Sequence, residues 1–407
     1  IGPDSHRPVI SASPEFRSAQ SASEMGECYW HALARDIPFA EYGSNQLTID
    51  AAADLSKFSD FRGPKQSGMV TPATLFRGET PGALLGEYIS QFLWLPIPYG
   101  GLNQIEQSYV LPDPGIDYMT DYNSWLAIQR GAMPASPIIP LDESNPRYIQ
   151  TGRDLSFYVH LDFPGQAHWY AGLILLGYGP AAFDANNFYL GSAIQAGFVT
   201  QDIADILAMI PAVAQQALKA AWYQKWLVHR RLRPEAFGGR IHNHRQTQDV
   251  SYEINQEILD SEVLGRIFSI YRTYLLPQAY PEGSPAHPSY PAGHAAIAGA
   301  ITTILKAFFR EDFVIPDPVV PSSDGKKLSP YIGPDLTIGG ELNKLAHNIS
   351  LGRDFAGVHY RSEGYEGMLL GEQIAIGFLQ DLKCTYTERF GNGAFSFTRF
   401  DGTPVTI

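Results

Sequence analysis

Two histidines, His287 and His294, bracket the stretch HPSYPAGHA at residues 287–295, where two prolines and a glycine fix the backbone just ahead of a long apolar run. In that run Ile297, Ile301, Ile304, Leu305 and Phe308 recur at helical spacing, so Gly293 and His294 fall at a helix N-terminus. Unpaired backbone N–H groups and the positive end of the helix dipole favour an anion there, and Gly293 lets the backbone approach it closely. The chemistry expected is oxyanion binding, with a histidine alongside that can exchange protons near neutral pH.

Two further stretches carry basic residues at unusual places. In WYQKWLVHRRLRPEAFGG, Lys225 lies inside an amphipathic helical pattern and Arg233 stands at its exit, where Pro234 biases it away from helical geometry. In ISLGRDFAGVHYRSE, Arg353 lies near a helix end and His359 follows a turn at Gly357. Taken singly, Lys225 and Arg233 read as solvated helix positions, His294 as a capping or packed residue, and the proline-glycine stretch as a plain turn. Their combination, three motifs in this order, points to an anion pocket.

The elements that must position these residues are mostly helical. Residues 1–20 read as a polar arm, Ser21-x-x-Glu24 as a capping box opening a first helix, 59–78 as loops, and Thr80-Pro81 as the start of a helix closed by Pro96 and Pro98. Residues 100–147 are rich in turns, with one short helical piece over 125–130. Beyond Thr151 long apolar-periodic segments take over, at 154–176, 202–232, 252–276, 294–309, 342–352 and 365–382, and FSFTRFDGTPVTI reads as a terminal hairpin. The expectation is an all-α protein of two helical (four-helix) bundles. It forms a single domain over 1–407, in which 1–150 wraps a helical core at 151–407 that carries the site.

Composition narrows the partners. A chain of 407 residues with 44% hydrophobic residues can bury a sizeable core, while a net charge of −13 argues against nucleic acid, so any anion site is a local cationic pocket. No uninterrupted apolar run reaches the roughly 20 residues of a membrane span, and IGPDSHRP has no signal-peptide core, so a soluble chain is expected. Cys28 and Cys384 match no metal-binding spacing and read as two buried thiols, with one disulfide as the alternative.

Lys225-x7-Arg233-Pro234, PAGH ending at His294, and Ser350-x-x-Arg353 with six positions on to His359 together resemble the vanadate-dependent haloperoxidases and, more distantly, the acid phosphatases that share their anion pocket. YQKWLVHRRLRPEAFGG, EGSPAHPSYPAGHAAIAGA and ELNKLAHNISLGRDFAGVHY are similar to the algal and bacterial bromoperoxidases, the red-algal branch above all, and the resemblance covers nearly the whole chain. It implies that His359 is the protein ligand of vanadium, that Lys225, Arg233, Arg353 and the amide of Gly293 hold the vanadate oxygens, and that His294 is the acid/base. His287 corresponds to the second pocket histidine of bromoperoxidases, and with Trp222 it implies a halide pocket. The implied activity is oxidation of bromide or iodide by hydrogen peroxide to a hypohalite-like species that halogenates small organic acceptors. Vanadium would act as a Lewis acid, in a homo-oligomer of two or more chains.

The chain departs from the family at four places. Ala292 replaces the usual serine and removes one hydroxyl, a loss of roughly 0.5–1.5 kcal/mol by the usual worth of a neutral hydrogen bond. Glu363 replaces the aspartate four residues after His359. Trp222 stands where the red-algal enzymes carry arginine, and no calcium-binding loop is recognisable. The rival activities are an acid phosphatase, with His359 as nucleophile, and a non-catalytic binding protein with a weakened pocket.

Overall fold

Why the helices break where they do explains most of the architecture. The computed structural model describes residues 2–134, 138–390 and 393–407. The first helix, α1 (Ala19–Ala34), is capped by Ser18, whose side chain accepts the Ser21 amide, so it starts before the capping box read from the sequence. Glu24 is instead buried against Arg231 at 2.8 Å. Helix α2 (Gln46–Leu55) follows. The helix expected from Thr80 does not form. Gly82 and Gly86 adopt φ of 80° and 69°, a Cβ on Gly82 would lie 2.5 Å from the Gly340 backbone, and only a short 3-10 turn at Gln91–Leu93 is helical.

The short helix α3 (Tyr122–Gln129) lies where one was expected. The segment 154–176 divides into α4 (Gly152–Leu161) and α5 (Gln166–Gly177), because Pro164 and the left-handed Gly165, with φ of 85°, interrupt it. Helix α6 (Ile203–Tyr223) runs into a π-helical turn at Gln224–His229, after which α7 (Pro234–Thr247) starts on its proline. The segment 252–276 holds two helices, α8 (Gln256–Asp260) and α9 (Glu262–Tyr271), with Ser261 ending one and capping the other. The last three, α10 (Gly293–Phe308), α11 (Ile338–Phe355) and α12 (Arg361–Lys383), lie where the periodicity put them.

These elements form an all-α protein in two groups. Helices α6, α11 and α12 pack around the largely buried α10, with α4 against α11, while α1 is surrounded by α2, α7, α8 and α9. The only regular strands among the described residues are three two-stranded antiparallel hairpins: β1 (Ile97–Tyr99) with β2 (Asn103–Ile105), β3 (Val319–Pro321) with β4 (Leu328–Pro330), and β5 (Ser396–Thr398) with β6 (Pro404–Thr406). The last is the hairpin expected at the C-terminus.

The closest approach is that of α10 and α12. A Cβ on Gly371 would lie 2.1 Å from the Ala296 carbonyl oxygen, and one on Gly299 would lie 2.3 Å from that of Met368. Only glycine permits this contact, and it brings the N-terminal ends of the two helices together. The run Ile203–Thr247 passes for a membrane span by length and mean hydropathy, but Asp205 and Lys219 interrupt its apolar residues and its inner face packs on α10 and α12. The expectation of two buried thiols needs correction. Both cysteines are free thiols, but only Cys28 is buried and Cys384 is exposed.

Candidate functional site

Five helix ends converge on one pocket: the π turn after α6, the N-cap of α7, the first turn of α10, the last turn of α11 and the residues leading into α12. The π turn widens the helix at Lys225, which is fully buried and donates from Nζ to the carbonyl oxygens of Pro288 (2.8 Å) and Ser289 (2.7 Å). Arg233 is the N-cap residue of α7, with extended backbone ahead of Pro234, so its side chain leaves the helix and turns into the pocket.

His359 sits at the centre. Its Nδ1 lies 2.5 Å from Oε2 of Glu363, and its Nε2 lies 3.0 Å from NH1 of Arg233. A guanidinium only donates and a carboxylate only accepts, so these partners assign the proton to Nδ1 and a lone pair to Nε2. Burial, then Arg233 and Lys225, hold the imidazole well below its ordinary pKa, which keeps it neutral. Glu363 is fully buried, and Oε2 also accepts the Ser289 hydroxyl at 2.6 Å and the Tyr360 amide at 3.3 Å. Its other oxygen has Arg231 at 3.5 Å, an ion pair too long for a good hydrogen bond. The longer glutamate therefore reaches the histidine, and Ala292 is anchored to the same residue through its amide on the Glu363 carbonyl at 2.9 Å.

The cations crowd together. Arg233 also donates to the carbonyl oxygens of Val358 (2.7 Å) and His287 (3.1 Å), and burial pushes its pKa down to about 10, which leaves it charged at neutral pH. Burial and the neighbouring Arg233 push the Lys225 ammonium well below its usual value, with Glu363 opposing. Arg353 donates from NH1 to the Val159 carbonyl (3.1 Å) and lies 3.3 Å from the Tyr280 hydroxyl, while its buried Nε has no partner. Such an orphaned donor favours an anion, because an unpaired buried donor is destabilising by about 1–3 kcal/mol. Gly293 is the first residue of α10, and Ala292 supplies no side-chain cap.

The remaining predicted residues line the rim. His287 has Nδ1 3.1 Å from Arg233 NH2 and 3.2 Å from the Pro288 carbonyl, and the charged donor makes Nδ1 the acceptor. Burial, then Lys225 and Arg233, depress this imidazole to a pKa of about 4. The Trp222 ring lies over it with centroids 4.6 Å apart. His294, at the start of α10, has Nε2 2.9 Å from Oδ1 of Asp162. Arg233, His359, His287 and Trp222 thus meet in one cluster with Lys225 and Arg353 as charged neighbours, while Gly293 and His294 stand at the start of α10, His294 turned to Asp162.

Sequence reasoning missed the residues that hold these in place: Asp162, Tyr280, Ser289, Arg231 and the Val159 carbonyl. Asp162 carried a signal, since a carboxylate closing the C-terminus of a helix opposes the dipole and calls for another partner. Among the described residues no group of three or more His, Cys, Asp or Glu side chains gathers as a cation site. The donor set here is one unprotonated imidazole nitrogen, Nε2 of His359, facing Arg233 among further cations, which suits an oxyanion.

The sequence model of the VCPO second helical-bundle domain matches residues 205–386, the stretch that holds α6 to α12 and every predicted site residue. The chain is 37% identical to a vanadium-dependent bromoperoxidase of Ascophyllum nodosum, over all of this chain and 75% of that one. It is also 37% identical to one of Corallina officinalis, over all of this chain and 77% of the other. A solved homohexameric vanadate-dependent bromoperoxidase from Ascophyllum nodosum superimposes with a TM-score of 0.92 at 31% identity, over 99% of this chain and 73% of that one. With the fold, the pocket and full-length similarity in agreement, the chain belongs to the vanadium-dependent bromoperoxidase family.

Proposed function

We propose that this protein oxidises bromide, and iodide, with hydrogen peroxide, using vanadate held among Lys225, Arg233, Arg353, the Gly293 amide and His359. The net reaction is H2O2 + Br− + H+ → HOBr + H2O. One observation carries the assignment: His359 is neutral, with Nδ1 fixed on Glu363 and the Nε2 lone pair turned towards the guanidinium of Arg233, the state a metal-ligating imidazole requires. Bound vanadate would supply Lewis-acid activation of peroxide.

The chain's own residues do the rest. Lys225, Arg233 and Arg353 neutralise the anion without a carboxylate facing it, since Glu363 stands behind the imidazole on its Nδ1 side. Anion binding replaces the mutual repulsion of these cations by attraction, which favours the charged form of Lys225. Asp162 takes Nε2 of His294 and so leaves Nδ1 as the nitrogen that exchanges protons. His287, held neutral by burial beside Lys225 and Arg233, and Trp222 form the side from which halide approaches. The assembly is a homo-oligomer of two or more chains, and small organic molecules accept the halogen.

Protein stripped of metal, then incubated with vanadate and assayed for bromide-dependent bromination and for phosphate-ester hydrolysis, tests this reading. Vanadate-dependent bromination is the expected result. Hydrolysis without bromide oxidation would make the chain a phosphatase.

A further inference from the structure

The polar arm ahead of α1 has no helix or strand over residues 2–18, and Pro3, Pro8 and Pro14 stiffen it between turns. What orders it is a row of side chains on α12. The Gly2 amide donates to Oδ2 of Asp381 (2.9 Å). The Val9 amide donates to Oε1 of Gln373 (3.3 Å), and the Val9 carbonyl accepts from Nε2 of the same glutamine (3.0 Å). The Ser11 amide donates to Oε2 of Glu366 (3.1 Å). These partners stand about two helical turns apart on one stripe of α12 and in reverse order, so the arm runs antiparallel to that helix.

Pro8 to Ser11 reach two further elements. Gln224, the first residue of the π turn, is buried and donates from Nε2 to the Pro8 carbonyl at 3.1 Å. Tyr290, fully buried in the stretch ahead of α10, donates from its hydroxyl to the Ser11 carbonyl at 2.7 Å. Its ring meets that of His229, at the end of the π turn, edge-on with centroids 4.7 Å apart. These two elements are the ones that Lys225 joins, since it follows Gln224 in the chain and its Nζ is bonded to the carbonyls of Pro288 and Ser289. The third, α12, carries Glu363, which takes the Ser289 hydroxyl and orients His359. A short piece of the arm thus fastens three walls of the pocket to one another.

We propose that Tyr290 is a positioning residue of the anion pocket and that residues 8–11 are the strap through which it acts. The inference rests on the reading of this pocket as the vanadate site. A fully buried phenol has to donate to an acceptor, and here the acceptor is a carbonyl 279 residues away in the chain. With the strap docked, Lys225 and its two carbonyl partners keep a fixed separation before an anion arrives, so binding does not have to order them. Without it, the contact between the π turn and the stretch ahead of α10 rests more heavily on Lys225, the group that the anion also needs. Docking of the strap and binding of the anion therefore favour each other, and by linkage each strengthens the other by the same factor.

Amide hydrogen exchange of the wild type, followed at Val9 and Ser11 with and without saturating vanadate, tests this coupling apart from turnover. Exchange at both amides is expected to slow by about two- to tenfold, the effect of one neutral hydrogen bond. Tyr290→Phe keeps the ring and removes the donor. In that variant vanadate is expected to bind more weakly by the same factor in an equilibrium titration, and the vanadate-dependent slowing to be lost. Exchange in the wild type that is equal with and without vanadate overturns the proposal. So does a Tyr290→Phe protein with a lower unfolding midpoint but wild-type vanadate affinity, which would make Tyr290 an ordinary core residue. Phosphate as a second probe keeps the two readings apart: a wild type that does not oxidise bromide, yet whose exchange phosphate slows, would lose the functional reading and keep the strap.

Discussion

Oε2 of Glu363 lies 2.5 Å from Nδ1 of His359, one helical turn away along the chain, and the same oxygen accepts from Ser289 and from the Tyr360 amide. One carboxylate thereby caps α12, ties the loop before α10 to it, and sets the tautomer of the central histidine. Glu363→Gln removes the charge that fixes the proton on Nδ1. Vanadate affinity is expected to fall at least about tenfold, the usual effect of losing such a partner, in an equilibrium titration. Unchanged affinity would show that Arg233 alone orients the ring.

His294 is held in a different way, with Nε2 2.9 Å from Oδ1 of Asp162, and in the proposed reaction this pair exchanges protons and does not hold the anion. Asp162→Asn is expected to lower kcat by roughly a hundredfold, as for loss of acid–base function, with vanadate affinity nearly unchanged. Steady-state rates beside a vanadate titration check this. A parallel loss of both would make Asp162 a structural member of the pocket.

The site was legible in the sequence where local punctuation coincides with function. Gly293 ahead of an apolar run marks the first turn of α10, and Pro234 fixes Arg233 as the N-cap of α7. The supporting residues were not legible, because Asp162, Tyr280 and Arg231 come to the site through tertiary packing of α4 and of the loops before α7 and α10. The same holds for the fold. The long helices α10 to α12 follow their periodicity, whereas the residues after Thr80 have helical periodicity but adopt turns, since the contact of Gly82 with Gly340 overrides local preference. The π turn at Lys225 leaves no mark in residue type.

Ala292 stands at the N-cap of α10 without a capping side chain. A serine hydroxyl there has two partners to choose from, the first-turn amides or the anion. Ala292→Ser is expected to stabilise the protein by about 1 kcal/mol, the usual worth of an N-cap, in a denaturant midpoint of the vanadate-free form, and to tighten vanadate by less than about tenfold. Tighter vanadate binding with no gain in the free protein would show that the hydroxyl serves the anion alone.

Two histidines outside the pocket contribute to acid stability. His168 and His347 are buried with Nε2 on the hydroxyls of Thr302 (3.1 Å) and Thr80 (2.9 Å), and burial depresses each from 6.5 to a pKa of about 3. The unfolded chain binds protons that these sites refuse, so their contribution is complete above pH 6.5 and is lost as pH falls towards 3. Within that window each histidine lowers stability by at most about 1.4 kcal/mol per pH unit. His347→Gln keeps a hydrogen-bonding group but cannot titrate, and its unfolding free energy should fall less steeply between pH 6 and pH 4 than that of the wild type. Equal slopes would mean that His347 is protonated in the folded protein.

The account stands or falls on His359 as the one protein bond to vanadium. Vanadate titrated into the wild type and into His359→Ala, with bromide-dependent turnover measured on the same samples, tests this directly. The wild type is expected to bind one vanadate per chain and to oxidise bromide, and the folded variant to bind it weakly and to be inactive. A His359→Ala protein with wild-type affinity and rate would contradict the account.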